Sequence, residues 1–150
     1  MMISSQSRFS QAALQYHHLG FAPIPAKPGS KSPYIKWGEY KDRRPTADEI
    51  AGWGRQWPDA NVTLVLGPVS RLMVIDVDGK EANDALFAAV GSIDYAPAAI
   101  SGSSDPYRYH LYFRHPDFET RAKSTPLHPT LEFRGYGGMI VAPPSIHKSG

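Results

Sequence analysis

The 150-residue chain contains no cysteine. That excludes disulfide scaffolds, thiol nucleophiles and every cysteine-ligated zinc module. Six histidines are present, but none falls in a zinc-ligand spacing, so no structural zinc is expected. No apolar stretch approaches the roughly 18 residues of a membrane-crossing helix. The opening MMISSQSRFSQ lacks a charged region followed by an apolar one, so no signal peptide is expected. Excess charge of one sign is also missing: 16 Lys+Arg face 14 Asp+Glu, a net charge of +2. A polyanionic partner is permitted by that balance and not demanded. Repeats and low-complexity tracts are absent.

What is present is ordinary globular composition, 41% hydrophobic and 20% charged. It suits one cytoplasmic domain with one core and no membrane contact. The chain stops at Ile146-His147-Lys148-Ser149-Gly150, inside a Gly/Pro/Ser-rich stretch with no closing element. The expectation is that residues 1–150 form one domain, an N-terminal fragment of a longer protein.

Periodicity predicts a helix over 5–19, with Phe9, Ala12, Ala13, Tyr16 and Leu19 at helical spacing and Gly20 as its stop. FAPIP is a short extended piece broken by prolines. AKPGSKSPYIKWGEYKDRR reads as a long basic loop. Thr46-Ala47-Asp48-Glu49 is a capping box opening a helix with Ile50, Trp53 and Trp57 on one face. Residues 62–66 and 72–78 read as central strands. Residues 80–90 read as a helix with Ala82, Ala85, Leu86, Ala89 and Val90 inward. Strands are then predicted over 98–101, 107–114, 130–134 and 139–142, the last two as a hairpin around Gly135-Tyr136-Gly137-Gly138. The fold class is α+β (mixed α/β), a single central sheet with two or three helices.

LMVIDVDGK ends an apolar strand in two aspartates. Residues two apart on a strand share a face. Asp76 and Asp78 therefore point the same way. By the same parity Arg108, His110, Tyr112 and Arg114 share one face, with Tyr109, Leu111 and Phe113 on the other. Glu132 and Arg134 likewise oppose Leu131 and Phe133. Three carboxylates beside arginines suit metal-assisted phosphoryl chemistry. Carboxylates hold hard cations such as Mg²⁺ or Mn²⁺, and arginines grip phosphate oxygens.

Taken together, VIDVDG, SGSSDPYRYHLYFR and LEFRGYGGMIVAPPSIHKSG, after GFAPIPAKPGSKSPYIKW with Lys31, Pro33 and Trp37, carry a resemblance. Over nearly its whole length the chain resembles the N-terminal primase–polymerase domain of plasmid, phage and mobile-element replication proteins. That family belongs to the archaeo-eukaryotic primase superfamily. The resemblance implies an RNA-recognition-motif-like catalytic core flanked by helices. It implies template-dependent nucleotidyl transfer on single-stranded DNA, as primer synthesis, DNA polymerisation or both. Asp76, Asp78 and Glu132 would hold two divalent ions, Mg²⁺ or Mn²⁺. His110 completes the catalytic set. Arg108, His110, Arg134, Ser145, His147 and Lys31 would bind the NTP or dNTP. A C-terminal or associated helicase is the implied partner. Arg108 stands where many relatives have a serine that helps hold the triphosphate, and Glu132 where many have Asp.

The basic stretch Lys31, Lys36, Arg43 and Arg44 has two readings, template tracking or a solvated loop. Tyr34 and Trp37 within it could stack bases, but Trp37 reads better as core. Two rival functions remain open. VIDVDGK resembles the Asp-x-Asp-Gly signature of haloacid-dehalogenase-type phosphatases, but residues 80–150 lack the later acidic pair. A non-catalytic single-stranded nucleic-acid-binding module is the other, though three carboxylates on a phosphate-facing surface would repel its ligand.

Overall fold

The computed structural model describes residues 6–92, 97–100, 105–117, 123–124 and 128–143. Three helices form among them: α1 (Arg8–His18), α2 (Ala47–Gln56) and α3 (Lys80–Val90). The strands are β1 (Ala22–Ala26), β2 (Asn61–Val65), β3 (Leu72–Asp78), β4 (Ala98–Ile100), β5 (Arg108–Arg114), β6 (Lys123–Ser124), β7 (Leu131–Arg134) and β8 (Met139–Ala142). The α+β class stands, but the single sheet becomes two antiparallel ones. One has order β1-β2-β8 and the other β4-β5-β3-β7-β6. No described helix is long and apolar enough to cross a membrane.

Local signals explain most boundaries. Ser7 caps α1 by accepting from the Ser10 amide. Thr46 and Glu49 form the full capping box at α2. The proline-broken segment forms a strand over Ala22–Ala26, because β1 pairs along its length with β2 and its other edge carries only an isolated Ala26–Pro33 bridge, where its two prolines need donate nothing. The basic loop is partly ordered: Gly38–Lys41 is a 3₁₀ turn whose Tyr40 is buried.

The small sheet is largely apolar, with Asn61 and Thr63 as its buried polar residues, and β1 and β2 are buried at every residue. It meets one face of β3 in the main core, where Leu72 and Val74 pack with Phe9, Ile50, Leu64 and Ile140. The opposite face of β3 and β5 packs under α3 in a second cluster of Val77, Leu86, Leu111 and Leu131, with Tyr109 and Phe113 at its margin. Only Ala82 and Leu86 of α3 are buried. Ala89 and Val90, expected inward, are exposed, because the helix touches β3 and β7 with one stripe only.

The expected hairpin between 130–134 and 139–142 is absent. β7 pairs with β3, whereas β8 pairs with β2 in the other sheet. The Gly135–Gly138 turn is a crossover between sheets, and Leu66 N–H donates to the Gly138 carbonyl at 2.9 Å. Two free strand edges competed successfully with the local turn.

Candidate active site

The site is built by register. Asp76 on β3 lies directly opposite His110 on β5 and Glu132 on β7. Asp78 lies opposite Arg108, and Val74 opposite both Tyr112 and Arg134. Strand parity then puts Asp76, Asp78, Arg108, His110, Glu132 and Arg134 on one face. Along β3 that face begins as core, with Leu72 and Val74 buried under the small sheet. It emerges as polar surface at Asp76, which is 20% exposed, and at Asp78, which is 49% exposed. The acid pair marks where the covering layer ends.

Gly79 explains the glycine after the aspartates. Its φ of +116° is open to glycine and strained for other residues. It turns the chain off the sheet and serves as the N-cap position of α3.

Arg134 NH2 lies 3.0 Å from Asp76 Oδ2 and 3.2 Å from Glu132 Oε2, so one guanidinium bridges two strands. His110 Nε2 approaches Asp76 Oδ1 at 3.4 Å. Arg108 Nε donates to Asp78 Oδ1 at 2.9 Å. Burial pushes the Asp76 carboxyl up, but the His110 hydrogen bond and the charges of His110, Arg134 and Lys31 outweigh it. The net shift is downward, and Asp76 is a carboxylate at neutral pH. Lys31 thus acts on Asp76 from the loop after β1, though it is exposed and far away in sequence.

The structure therefore brings Asp76, Glu132, His110, Arg134 and Lys31 together, with Asp78 and Arg108 as a second pair one step along the face. Ser145 and His147 lie outside the described residues. Asp105 was not anticipated: its Oδ2 lies 3.9 Å from Arg108 Nε, and its Oδ1 accepts from the Tyr107 amide at 2.8 Å. The signal was its place three residues before Arg108. Two other residues of the basic stretch have structural duties. Arg43 pairs with Glu39 and Glu49, and Arg44 donates to the His17 and Phe21 carbonyls. Tyr34 stacks on Trp57 with ring centroids 4.6 Å apart, and Trp37 packs on the Ile24–Tyr40 cluster.

Among the described residues no group of three or more His, Asp or Glu side chains is gathered closely enough to hold a metal ion. The donor chemistry nevertheless fits one. Asp76, Asp78 and Glu132 offer hard carboxylate oxygens on a common face, and their present partners are guanidinium and imidazole groups. Arg134 Nε is buried without an acceptor. A buried donor left unpaired is costly, and one beside two carboxylates can receive an anionic oxygen.

A family model described as bifunctional DNA primase/polymerase, N-terminal, matches residues 13–150. No curated protein matches the chain.

Proposed function

This chain belongs to the bifunctional DNA primase/polymerase N-terminal family, and we propose that the row His110–Asp76–Glu132 is its nucleotidyl-transfer centre. The single observation that carries the reading is the register that sets Asp76 opposite both His110 and Glu132, with Arg134 bridging the acids. The reaction joins a 3′-hydroxyl to the α-phosphate of an incoming nucleotide on a single-stranded DNA template. The new O–P bond forms as the bond to the pyrophosphate oxygen breaks.

Asp76, Asp78 and Glu132 would hold Mg²⁺ or Mn²⁺, which when bound supplies Lewis acidity toward the attacking and leaving oxygens. The chain's own residues do the rest. Asp76 stays ionised at neutral pH because its pKa is held down. Arg134, which pairs with Asp76 and Glu132, would offer its fork to phosphate or sugar oxygens. His110 and Arg108 donate to the triphosphate from adjacent positions on β5. Lys31 adds an exposed ammonium from the loop above Asp76. Ser145 and His147 complete this nucleotide-binding set in the proposal, and a helicase partner in mobile-element replication completes its setting.

The test is primer synthesis and primer extension with labelled NTPs and dNTPs on a single-stranded oligonucleotide, with Mg²⁺ or Mn²⁺. The wild type incorporates nucleotide; Asp76→Ala/Asp78→Ala does not, while its thermal melt stays cooperative. Retained incorporation in that double variant would overturn the assignment. The wild type separates the reading from a phosphatase: no covalent phosphate is expected on Asp76, and a phosphorylated Asp76 would favour the phosphatase.

A further inference from the structure

A cavity of about 840 Å³ opens on the same sheet face, beyond the site, between the end of α1 and the β4–β5 edge. Its lining includes the aromatic residues Tyr16, Phe21, Tyr112 and Phe113, together with Leu72. Arg71 and Arg114 also line it. Leu72 stands four residues, roughly 13 Å, before Asp76 along β3. Ala99, another lining residue, lies opposite His110 in the β4–β5 register. The cavity and the carboxylate row are therefore neighbours on one surface.

The two arginines are unlike most others in the chain. Arg8, Arg43, Arg44, Arg108 and Arg134 each have a hydrogen bond or ion pair. Among the described residues neither the Arg71 nor the Arg114 guanidinium has one. Yet the two residues are neighbours along the backbone: Leu72 pairs with Arg114 in the sheet, and the His115 amide donates to the Arg71 carbonyl at 3.0 Å. Arg71 is also the one described non-glycine residue with positive φ, +51°. That strained position sets its side chain at the cavity rim, with its NH2 against Gly20. Two cations with no ion pair among the described residues, bordering an apolar aromatic chamber, complement an anion joined to a flat apolar ring. Tyr112 adds to the apolar character, since burial first and the nearby Tyr16 second push its hydroxyl up to about 12.

We propose that this cavity binds one nucleotide unit of a single strand, its base among Tyr16, Phe21 and Tyr112 and its flanking phosphates on Arg71 and Arg114. The inference rests on the nucleic-acid reading above but not on its catalytic assignment. A strand seated there leads from the chamber across Tyr112 to the carboxylate row, so the pocket fixes the register of the strand relative to the reacting centre. Base stacking on aromatic side chains and phosphate pairing with arginine are the two general terms of single-strand binding.

The experiment measures binding of a fluorescein-labelled single-stranded oligonucleotide in EDTA, across a salt series. Arg71→Asn/Arg114→Gln removes both charges, and Asn tolerates the positive φ. It is expected to weaken binding about tenfold and to lower the slope of log K against log salt by about 1.4, the share of two phosphate contacts. Ala99→Trp, at a half-exposed lining position, fills the chamber and weakens binding without touching charge. A 4-thiothymidine photo-crosslink from wild type maps to Tyr16, Phe21 or Tyr112. Unchanged affinity and slope in the arginine variant, or a crosslink mapping away from the cavity, overturns the proposal. Arginine-dependent binding by a wild type that incorporates no nucleotide defeats the catalytic assignment alone.

Discussion

Two arginines in this molecule do nearly the same thing in different places. Arg43 bridges Glu39 and Glu49 at 2.8 and 2.7 Å, beside Tyr40. Arg134 bridges Glu132 and Asp76 at 3.2 and 3.0 Å, beside His110. The first network is local. Its members lie within ten residues of one another, one pair is i,i+4, and Glu49 also closes the cap of α2. Every carboxylate there has a duty to the fold. The second network spans three strands and exists only through long-range register. None of its acids caps a helix, and one of its guanidinium nitrogens has no acceptor. Ion pairs wired by neighbouring residues are parts of a scaffold; ion pairs assembled by a sheet on a half-covered face are available for exchange.

Substitution of the two arginines breaks the comparison most sharply. Arg134→Ala removes the guanidinium that joins Asp76 to Glu132 and is expected to cost about 10²-fold or more in nucleotide incorporation, the scale of losing one charge-stabilising donor. Arg43→Ala should leave incorporation within about threefold and lower the melting temperature instead. Single-turnover extension assays with parallel melts read both. Equal effects of the two on incorporation would dissolve the distinction.

Much of the site was legible because strand parity is a strict rule. Asp76, Asp78, Arg108, His110, Glu132 and Arg134 were assigned to polar faces from alternation alone, and the register places those faces on one surface. The capping box at Thr46 and the bounds of α3 were equally local and equally readable. What failed was non-local. Gly135–Gly138 has hairpin chemistry, but nothing in the segment reveals that β3 and β2 offer better edges in separate sheets. Arg43 and Arg44 look like template-tracking residues in a basic loop. Their use is decided by Glu49 on the next helix and by carbonyls at the end of α1. The outward turn of Ala89 and Val90 depends on how far β3 and β7 reach beneath the helix. The cavity beside the site is invisible in sequence, since its walls come from α1, β3, β4 and β5.

A smaller effect sharpens the scaffold half of the comparison. Thr46→Ala removes the side chain that accepts from the Glu49 amide at 3.1 Å. The expected loss is about 1 kcal/mol of stability, a fall of roughly 2–4 °C in melting temperature for a chain of this size. Incorporation at a temperature well below the melt should not change. A loss of activity beyond the fraction unfolded would mean that α2 and the carboxylate row are coupled.

The smallest effect concerns acid. Hydrogen bonding from Arg43, ahead of burial acting the other way, holds the Glu49 carboxyl down to about 2, with Tyr40 and the Thr46 amide assisting. A carboxyl depressed in the folded state binds its proton more tightly when unfolded. Its contribution is therefore complete above the unfolded value near 4.5 and is lost as pH falls toward 2. In Glu49→Gln that contribution is absent at every pH. Wild type should exceed the variant by on the order of 0.5–1 kcal/mol at pH 7, the discounted value of a solvent-screened pair. The gap should narrow between pH 4.5 and 2. Urea unfolding at pH 7 and at pH 3 measures it. A gap constant across that range would remove the Arg43–Glu49 pair from the list of what holds α2 in place, leaving Thr46 as the cap's one energetic member.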